Sequence, residues 1–234
     1  MDDVRAMHIA NGIINGPVSA IFIVIAVAGL AICVSRAKVD LDDRLAPMAG
    51  LVAAFIFAVQ MLNFQVLPGV SGHLLGGTLA VILVGPWVGA LCVATVLLVQ
   101  ALVFADGGLT AIGLNITNMA LIGTAAAYLL VALLLRVLPR TTTGLGATAL
   151  IASIVGVVVA SLGFVVEYAL GGTTELSLGA IAGTMAGVHT LIGVGEGLIA
   201  ATTVVTVAKV RPDLVYALRA FRRQPTVAKT GVTA

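Results

Sequence analysis

Long apolar runs with almost no charged residues divide this sequence. They cover roughly residues 17–35, 45–62, 87–105, 109–135, 147–170 and 180–208. In hydrocarbon every backbone N–H and C=O group must be paired within the protein, so apolar runs of about 20 residues indicate membrane-spanning helices. The runs do not alternate as the strands of a membrane barrel would. Only 9% of the residues are charged, against about a quarter in soluble domains, which excludes an ordinary soluble protein.

A shorter apolar segment lies between the second and third of these runs, at Leu74–Val84, and ends at Gly85-Pro86. Proline lacks the N–H group and disfavours helix in the residue before it. A helix of this length rises only about 16 Å, so we expect the segment before it to enter a protein-lined cavity. The sequence therefore predicts an all-α membrane protein with seven transmembrane helices.

The distribution of lysine and arginine predicts the orientation. Seven crossings put the termini on opposite sides, and a cytoplasmic C-terminus leaves only Arg5, of the 12 basic residues, outside. Because basic residues accumulate in cytoplasmic segments, we expect an extracytoplasmic segment at 1–16, a membrane domain at 17–208 and a basic cytoplasmic tail at 209–234. Asp2 and Asp3 stand where a signal peptide carries basic residues, so we expect the first span to be retained in a multi-pass protein of the cell membrane.

This topology places two histidines at the outer face. His73 is the centre of Asn63–Gly77, a polar stretch rich in glycine, and His8 precedes the first span. If the chain starts at Met7, its amine, the deprotonated amide of His8 and the His8 ring form two fused chelate rings, which leaves a fourth position for His73. Four nitrogens in a plane favour Ni(II) or Cu(II), permit Co(II) and disfavour Mg²⁺ or Ca²⁺. From composition alone, a solvated His8 and a His73 bonded to loop backbone remain open alternatives.

Several sequence blocks occur together in a fixed order. They are Met7-His8-Ile9-x-Asn11-Gly12, Gly72-His73-Leu74-Leu75-Gly76-Gly77, Gly85-Pro86-Trp87, Gln100-Ala101-Leu102-x-Phe104-x-Asp106-Gly107-Gly108, Asn115-x-x-Asn118-Met119 and His189-x-Leu191-Ile192-Gly193-x-Gly195-Glu196-Gly197. Over Met7–Val207 the chain closely resembles the CbiM/NikM family, the substrate-binding membrane subunits (S components) of energy-coupling-factor (ECF) transporters for cobalt and nickel.

The resemblance implies a seven-helix subunit that performs no catalysis, needs no organic cofactor and holds Co²⁺ or Ni²⁺ as its transported substrate near the outer face. The implied metal ligands are the amine of Met7, the amide and ring nitrogens of His8, and His73. The implied partners are a transmembrane coupling subunit of CbiQ/NikQ type, ATP-binding subunits of CbiO/NikO type and a small accessory membrane subunit of CbiN/NikN type. The family pattern begins at the Met-His pair, whereas MDDVRA precedes it here. We therefore expect translation to start at Met7, since retention of those residues would remove one ligand.

Other polar residues are candidates for supporting roles. Four of them are predicted to orient the histidines through the other ring nitrogens or, equally, to cap helix ends: Asn11, Asn63, Gln65 and Ser71. Asn115 and Asn118 share a helix face, a spacing typical of interhelical hydrogen bonds, and are also candidates for the surroundings of the ion. His189 and Glu196 lie two turns apart on the last span, where a carboxylate is costly and needs a partner. Glu167 is expected near the membrane interface.

Two other classes of protein remain as alternatives. Gly69-x-Ser71-Gly72 fits the pattern of rhomboid intramembrane serine proteases, with His189 as the base for Ser71. A self-sufficient secondary transporter is the second, although no repeated pair of broken helices supports it. No GxxxxGK[ST] motif occurs, so any ATP-driven step is expected to come from another subunit. The basic tail is expected to contact lipid headgroups or a partner or, equally, only to set the orientation by its charge, and no feature indicates nucleic acid. Cys33 and Cys92 lack paired spacing and are expected to be buried.

Overall fold

The computed structural model describes residues 8–40, 45–61, 63–67, 70–139 and 141–220, and for residues 40, 63–67, 70 and 71 it describes the backbone only. Met7 and Arg140 therefore lie outside the described residues, as does most of the tail. The described chain is almost entirely helical. Its elements are α1 (Gly16–Asp40), α2 (Leu45–Gln60), β1 (Asn63–Leu67), β2 (Val70–His73), α3 (Gly77–Val84), α4 (Pro86–Val103), α5 (Ile112–Asn115), α6 (Thr124–Val137), α7 (Thr142–Gly171), α8 (Leu178–Val210) and α9 (Tyr216–Ala220).

Helices occur at every segment where the sequence predicts one. A 3₁₀ turn at Leu109–Ala111, α5, a π-helical segment at Ile116–Gly123 and α6 together form one continuous helical span. Within the described residues, 5 helical spans are long and apolar enough to cross a membrane, and α2 is a shorter apolar helix. The chain is thus a multi-pass helical membrane protein, and the number of seven crossings stays a prediction. Cys33 and Cys92 are both buried, without a disulfide.

The polar stretch before α3 differs from the irregular loop that we expected. It forms an antiparallel hairpin in which Asn63 pairs with His73 and Gln65 with Ser71. Its two strands are separated by Pro68-Gly69, a dipeptide that favours a turn. Helix α3 begins at Gly77, not at Leu74 as predicted, because Gly76 has a left-handed φ of 78° and the chain between β2 and α3 bonds to side chains instead of forming a helical turn.

Helix α3 is the centre of the bundle. All of its residues are buried, and it packs against α2, α4, α6, α7 and α8. At its far end, Gly85 has a φ of 87°, and a side chain there would meet the ring of Tyr216 at 2.9 Å. Helix α3 therefore links the hairpin, at one end of the molecule, to the segment around α9, at the other.

Backbone hydrogen bonds join three connecting segments at one end of the bundle. We call this end the N-terminal end. Asn15 N–H donates to Gly171 O at 2.7 Å, and Gly108 N–H donates to Ile9 O at 3.0 Å. These bonds join the segment before α1 to the end of α7 and to the turn before α5. Since α1 and α8 begin here, their last turns lie at the opposite end.

Candidate metal centre

His8 is held by the turn between α4 and α5. The Ile9 N–H donates to Asn115 Oδ1 at 3.3 Å, and its carbonyl accepts from Gly108. A side chain at Gly107 would meet His8 Cβ at 3.0 Å, and one at Gly108 would meet Asn11 N at 2.5 Å. The two glycines thus allow the segment that carries His8 to lie directly against the turn, and the His8 side chain is buried there.

His73 is the last residue of β2 and is also buried. Its Nδ1–H donates to Leu74 O at 2.9 Å, which leaves Nε2 as the nitrogen with a lone pair. A hydrogen bond from the other ring nitrogen to a backbone carbonyl is the arrangement that orients metal-binding histidines. Burial, together with the charge of the neighbouring His8, lowers the pKa of His73 to about 3. The ring is therefore neutral at physiological pH, which metal binding requires.

The two imidazole rings meet, as the predicted topology requires. Their centroids are 4.5 Å apart, with an angle of 61° between the ring planes. Two imidazoles on adjacent corners of a square around one ion, with nitrogen–metal distances of about 2.0 Å, have centroids roughly 4.5 Å apart. The observed separation fits a shared ion without a large rearrangement of the backbone.

Asp106 supplies a negative charge beside His8. His8 Nδ1 lies 3.4 Å from Asp106 Oδ1, while Nε2 is buried without a hydrogen-bond partner. The fused chelate would use Nδ1 of His8, so Asp106 lies beside the nitrogen that would bind the ion. Sequence reasoning treated Asp106 only as part of a turn, because Asp-Gly-Gly is typical of one.

A cavity of about 50 Å³ adjoins the two rings, which is room for an ion or one or two waters. Besides the two histidines, its lining includes polar or sulfur-bearing side chains from three helical segments: Asn115, Asn118, Met119, Ser161, Met185 and His189. Within the described residues, no three His, Cys, Asp or Glu side chains form a group that could hold a metal. A complete donor set would therefore need the backbone nitrogens that the fused chelate supplies.

Of the residues predicted to support the histidines, the structure describes the side chains of Asn11 and Asn115. Asn11 contacts neither ring, since its side-chain oxygen accepts from the N–H and hydroxyl of Thr110 and so caps the following 3₁₀ turn. The side chains of Asn63, Gln65 and Ser71 lie outside the described residues. Asn115 bonds to the backbone next to His8, as described above. The hydrogen bonds of Asn11 and Asn115 are thus with backbone N–H groups and the Thr110 hydroxyl, not with the rings.

Asn118 and Glu167 form a buried pair. Asn118 Nδ2–H donates to Glu167 Oε2 at 2.7 Å, and Glu167 is 0% exposed. Glu167 lies four residues before the end of α7 and faces the π-helical segment within the bundle, and its depth at the membrane interface stays a prediction. Gly163 provides the room, since a side chain there would clash with Asn118 Oδ1. The pair is an interhelical hydrogen bond of the kind that the asparagine spacing predicts.

The two candidates on α8 have different surroundings. His189 lines the cavity, and its Nδ1–H donates to Met185 O at 2.8 Å, one turn earlier. Glu196 does not line it and bonds instead to backbone N–H groups just after His73. The sequence indicated that Glu196 needs a partner but could not identify one, because backbone groups leave no trace in a residue pattern.

The fold and the site together define a multi-pass helical membrane protein in which two buried imidazoles meet beside a small cavity at one end of the bundle. Residues 8–214 match the family described as "Cobalt uptake substrate-specific transmembrane region", CbiM. The chain belongs to this CbiM/NikM family.

Individual relatives agree with this assignment. A putative fused nickel transport protein NikMN of Archaeoglobus fulgidus is 36% identical over 89% of this chain and 68% of its own. A putative metal transport protein of Haloquadratum walsbyi is 33% identical over 90% of this chain and 94% of its own. The crystal structure of a transition metal transporter, 26% identical, superposes with a TM-score of 0.80 over 87% of this chain and 93% of its own.

Proposed function

We propose that this chain is the substrate-binding S component of an ECF-type importer and captures Co²⁺ or Ni²⁺ at the outer face of the cell membrane. The contact between the His8 and His73 rings, with centroids 4.5 Å apart, is the observation that carries the proposal. Imidazole nitrogen suits these ions, and the neutral, hydrogen-bonded state of His73 is ready for ligation.

The complete proposed site has four nitrogens. They are the amine and ring donors of the Met7-His8 pair, the amide nitrogen of His8, and His73 Nε2. This site needs translation to start at Met7, so that the amine is free. Intact-mass measurement of the purified protein tests that requirement directly.

Charge distribution supports the orientation with the cavity outside. The basic residues whose place in the structure is described all lie within the last two turns of α1, α6 or α8 or beyond them, at the end opposite the cavity: Arg36, Lys38, Arg136, Lys209, Arg211 and Arg219. Because basic residues favour the cytoplasmic side, the cavity faces outward, where an importer must collect its substrate.

ATP hydrolysis in this proposal belongs to separate subunits of CbiO/NikO type, coupled through a CbiQ/NikQ-type membrane subunit and assisted by a CbiN/NikN-type subunit. The lack of a GxxxxGK[ST] motif in the sequence supports this division of labour. The name of the fused relative from Archaeoglobus fulgidus, NikMN, supports an association with the accessory subunit. Proteoliposomes with the chain alone should show no ATP-dependent uptake, and addition of the partners should restore it.

Metal titration tests the binding step. Purified wild type should bind Ni(II) or Co(II), and His8→Ala or His73→Ala should lose more affinity than the roughly 10- to 100-fold typical of an outer-shell change. Glu175→Gln, an exposed change at the same end of the bundle, is the matched control and should bind like wild type. Wild-type affinity in both histidine variants would exclude this site.

The protease alternative lacks comparable support. It needs Ser71, whose side chain lies outside the described residues, and His189, whose Nδ1 is bonded to its own helix. Ser71→Ala should leave metal binding intact, whereas His73→Ala should not, so the same titration separates the two functions.

A further inference from the structure

The carboxylate of Glu196 binds the backbone that directly follows His73 in the sequence. Its Oε2 accepts hydrogen bonds from the backbone N–H groups of Leu75, at 2.6 Å, and Gly76, at 3.1 Å. Successive N–H groups that converge on one oxygen form an anion-binding arrangement. A buried carboxylate needs such partners, and the residue is only 4% exposed.

A second side chain holds the same segment from α2. Gln60, which is fully buried, donates from Nε2 to Leu75 O at 2.9 Å. From the same face of α2, Ile56 packs closely against the segment, since a side chain at Gly76 would meet Ile56 Cγ1 at 2.7 Å. The segment between β2 and α3 is therefore fixed by polar contacts from two helices and by close packing against a third residue.

A single peptide unit connects Glu196 to the imidazole. The carbonyl of Leu74 accepts from His73 Nδ1–H, and the N–H of the same planar Leu74–Leu75 unit donates to Glu196. The carbonyl and N–H of a trans peptide lie in one plane and point in opposite directions, so the ring and the carboxylate lie at opposite edges of the planar unit. Acceptance of the N–H by a carboxylate also polarises the peptide and strengthens the bond at its carbonyl.

We propose that Glu196 is a positioning residue that fixes the orientation and tautomer of His73 through the Leu74–Leu75 peptide, so that Nε2 is presented to the ion. This inference rests on the proposed metal-binding function. The inference gives the Glu196 carboxylate a role in metal binding, although the carboxylate contacts neither the cavity nor the ion. A purely structural Glu196 would instead lower the stability of the bundle without acting specifically on His73.

A double-mutant cycle with metal titration distinguishes the two roles. Glu196→Ala should weaken Ni(II) affinity by about 10- to 100-fold, the range for loss of an outer-shell partner. In a His73→Ala background, where three nitrogens of the chelate remain, the same change should alter affinity by less than about twofold. Glu196→Gln keeps an oxygen of the same reach and should stay within about threefold of wild type, since a neutral acceptor bond is weaker but still formed.

Two controls keep the test independent of folding. Thr148→Val removes a buried hydroxyl, bonded to Gly144 O at 2.8 Å, far along α7 from the site, and should leave affinity unchanged. If Glu196→Ala does not purify as a folded protein, the cycle is run with Glu196→Asp, whose carboxylate is one methylene short of the two amides and should show the same dependence on His73.

The outcomes separate this inference from the proposed function. Absence of metal binding by wild type would overturn the proposed function and the inference with it. Binding by wild type, with an equal penalty for Glu196→Ala whether or not His73 is present, would overturn the positioning role alone. At saturating Ni(II), a visible spectrum of Glu196→Ala that shifts towards that of His73→Ala would support displacement of the fourth nitrogen.

Discussion

At the scale of single residues, His73 shows how burial prepares a side chain for ligation. Its Nδ1–H is satisfied by a carbonyl, its pKa is lowered and its ring meets that of His8. The sequence alone predicted this meeting, because the topology and the family blocks both place the two histidines at one face. It missed Asp106, since a carboxylate in a turn motif gives no sign of the distant ring that it approaches.

The lowered pKa of His73 makes stability depend on pH. Its folded pKa of about 3 lies below the usual value of about 6.5, so between these pH values the unfolded chain binds a proton that the folded chain does not. Stability of the metal-free protein should therefore fall as pH decreases from about 6.5 towards 3. His73→Gln should lessen this dependence. Thermal unfolding midpoints in detergent, compared at pH 7 and 5, measure it, and an unchanged pH dependence in the variant would contradict it.

At the scale of elements, the turn between α4 and α5 fixes the position of His8, because it binds the segment before α1, which has no regular structure of its own. The length of the apolar runs predicted the helices well, since long apolar runs allow few other structures in a membrane. It did not predict the hairpin β1–β2, although Pro68-Gly69 between two short runs was a signal for it. It also placed the start of α3 at Leu74, because the contacts of Leu75 and Gly76 with distant helices are invisible to local patterns.

Substitution of Gly108 tests the role of this turn. The new Cβ in Gly108→Ala would approach Asn11 N to 2.5 Å, so the segment that carries His8 must move. We expect Ni(II) affinity to fall on the order of tenfold, which corresponds to about 1.4 kcal/mol, with little change in the unfolding midpoint. Gly16→Ala, where a Cβ meets nothing within 4 Å, is the matched control. Equal affinities for the two variants in a metal titration would exclude a clamping role for the turn.

At the scale of the whole molecule, polarity is arranged along the bundle axis. The histidine pair and the buried Asp106 lie at the N-terminal end, while the described basic residues lie at the opposite end. Helix α3 runs between these two ends, from the segment bound by Glu196 to the close approach of Gly85 to Tyr216. Composition predicted the asymmetry of charge, whereas the central place of α3 follows from packing and could not be derived from its eight residues.

This polarity predicts which end a membrane-impermeant thiol reagent can reach in intact cells. Both native cysteines are buried, so background labelling should be low. Glu175→Cys, exposed in the connection between α7 and α8, should react from outside, whereas Asp213→Cys, exposed beyond α8, should react only after permeabilisation. The reverse pattern would place the histidine cavity on the cytoplasmic side, where it could not collect an ion for import. Retained metal binding in both purified variants, checked by titration, would show that the labelled proteins keep the native fold.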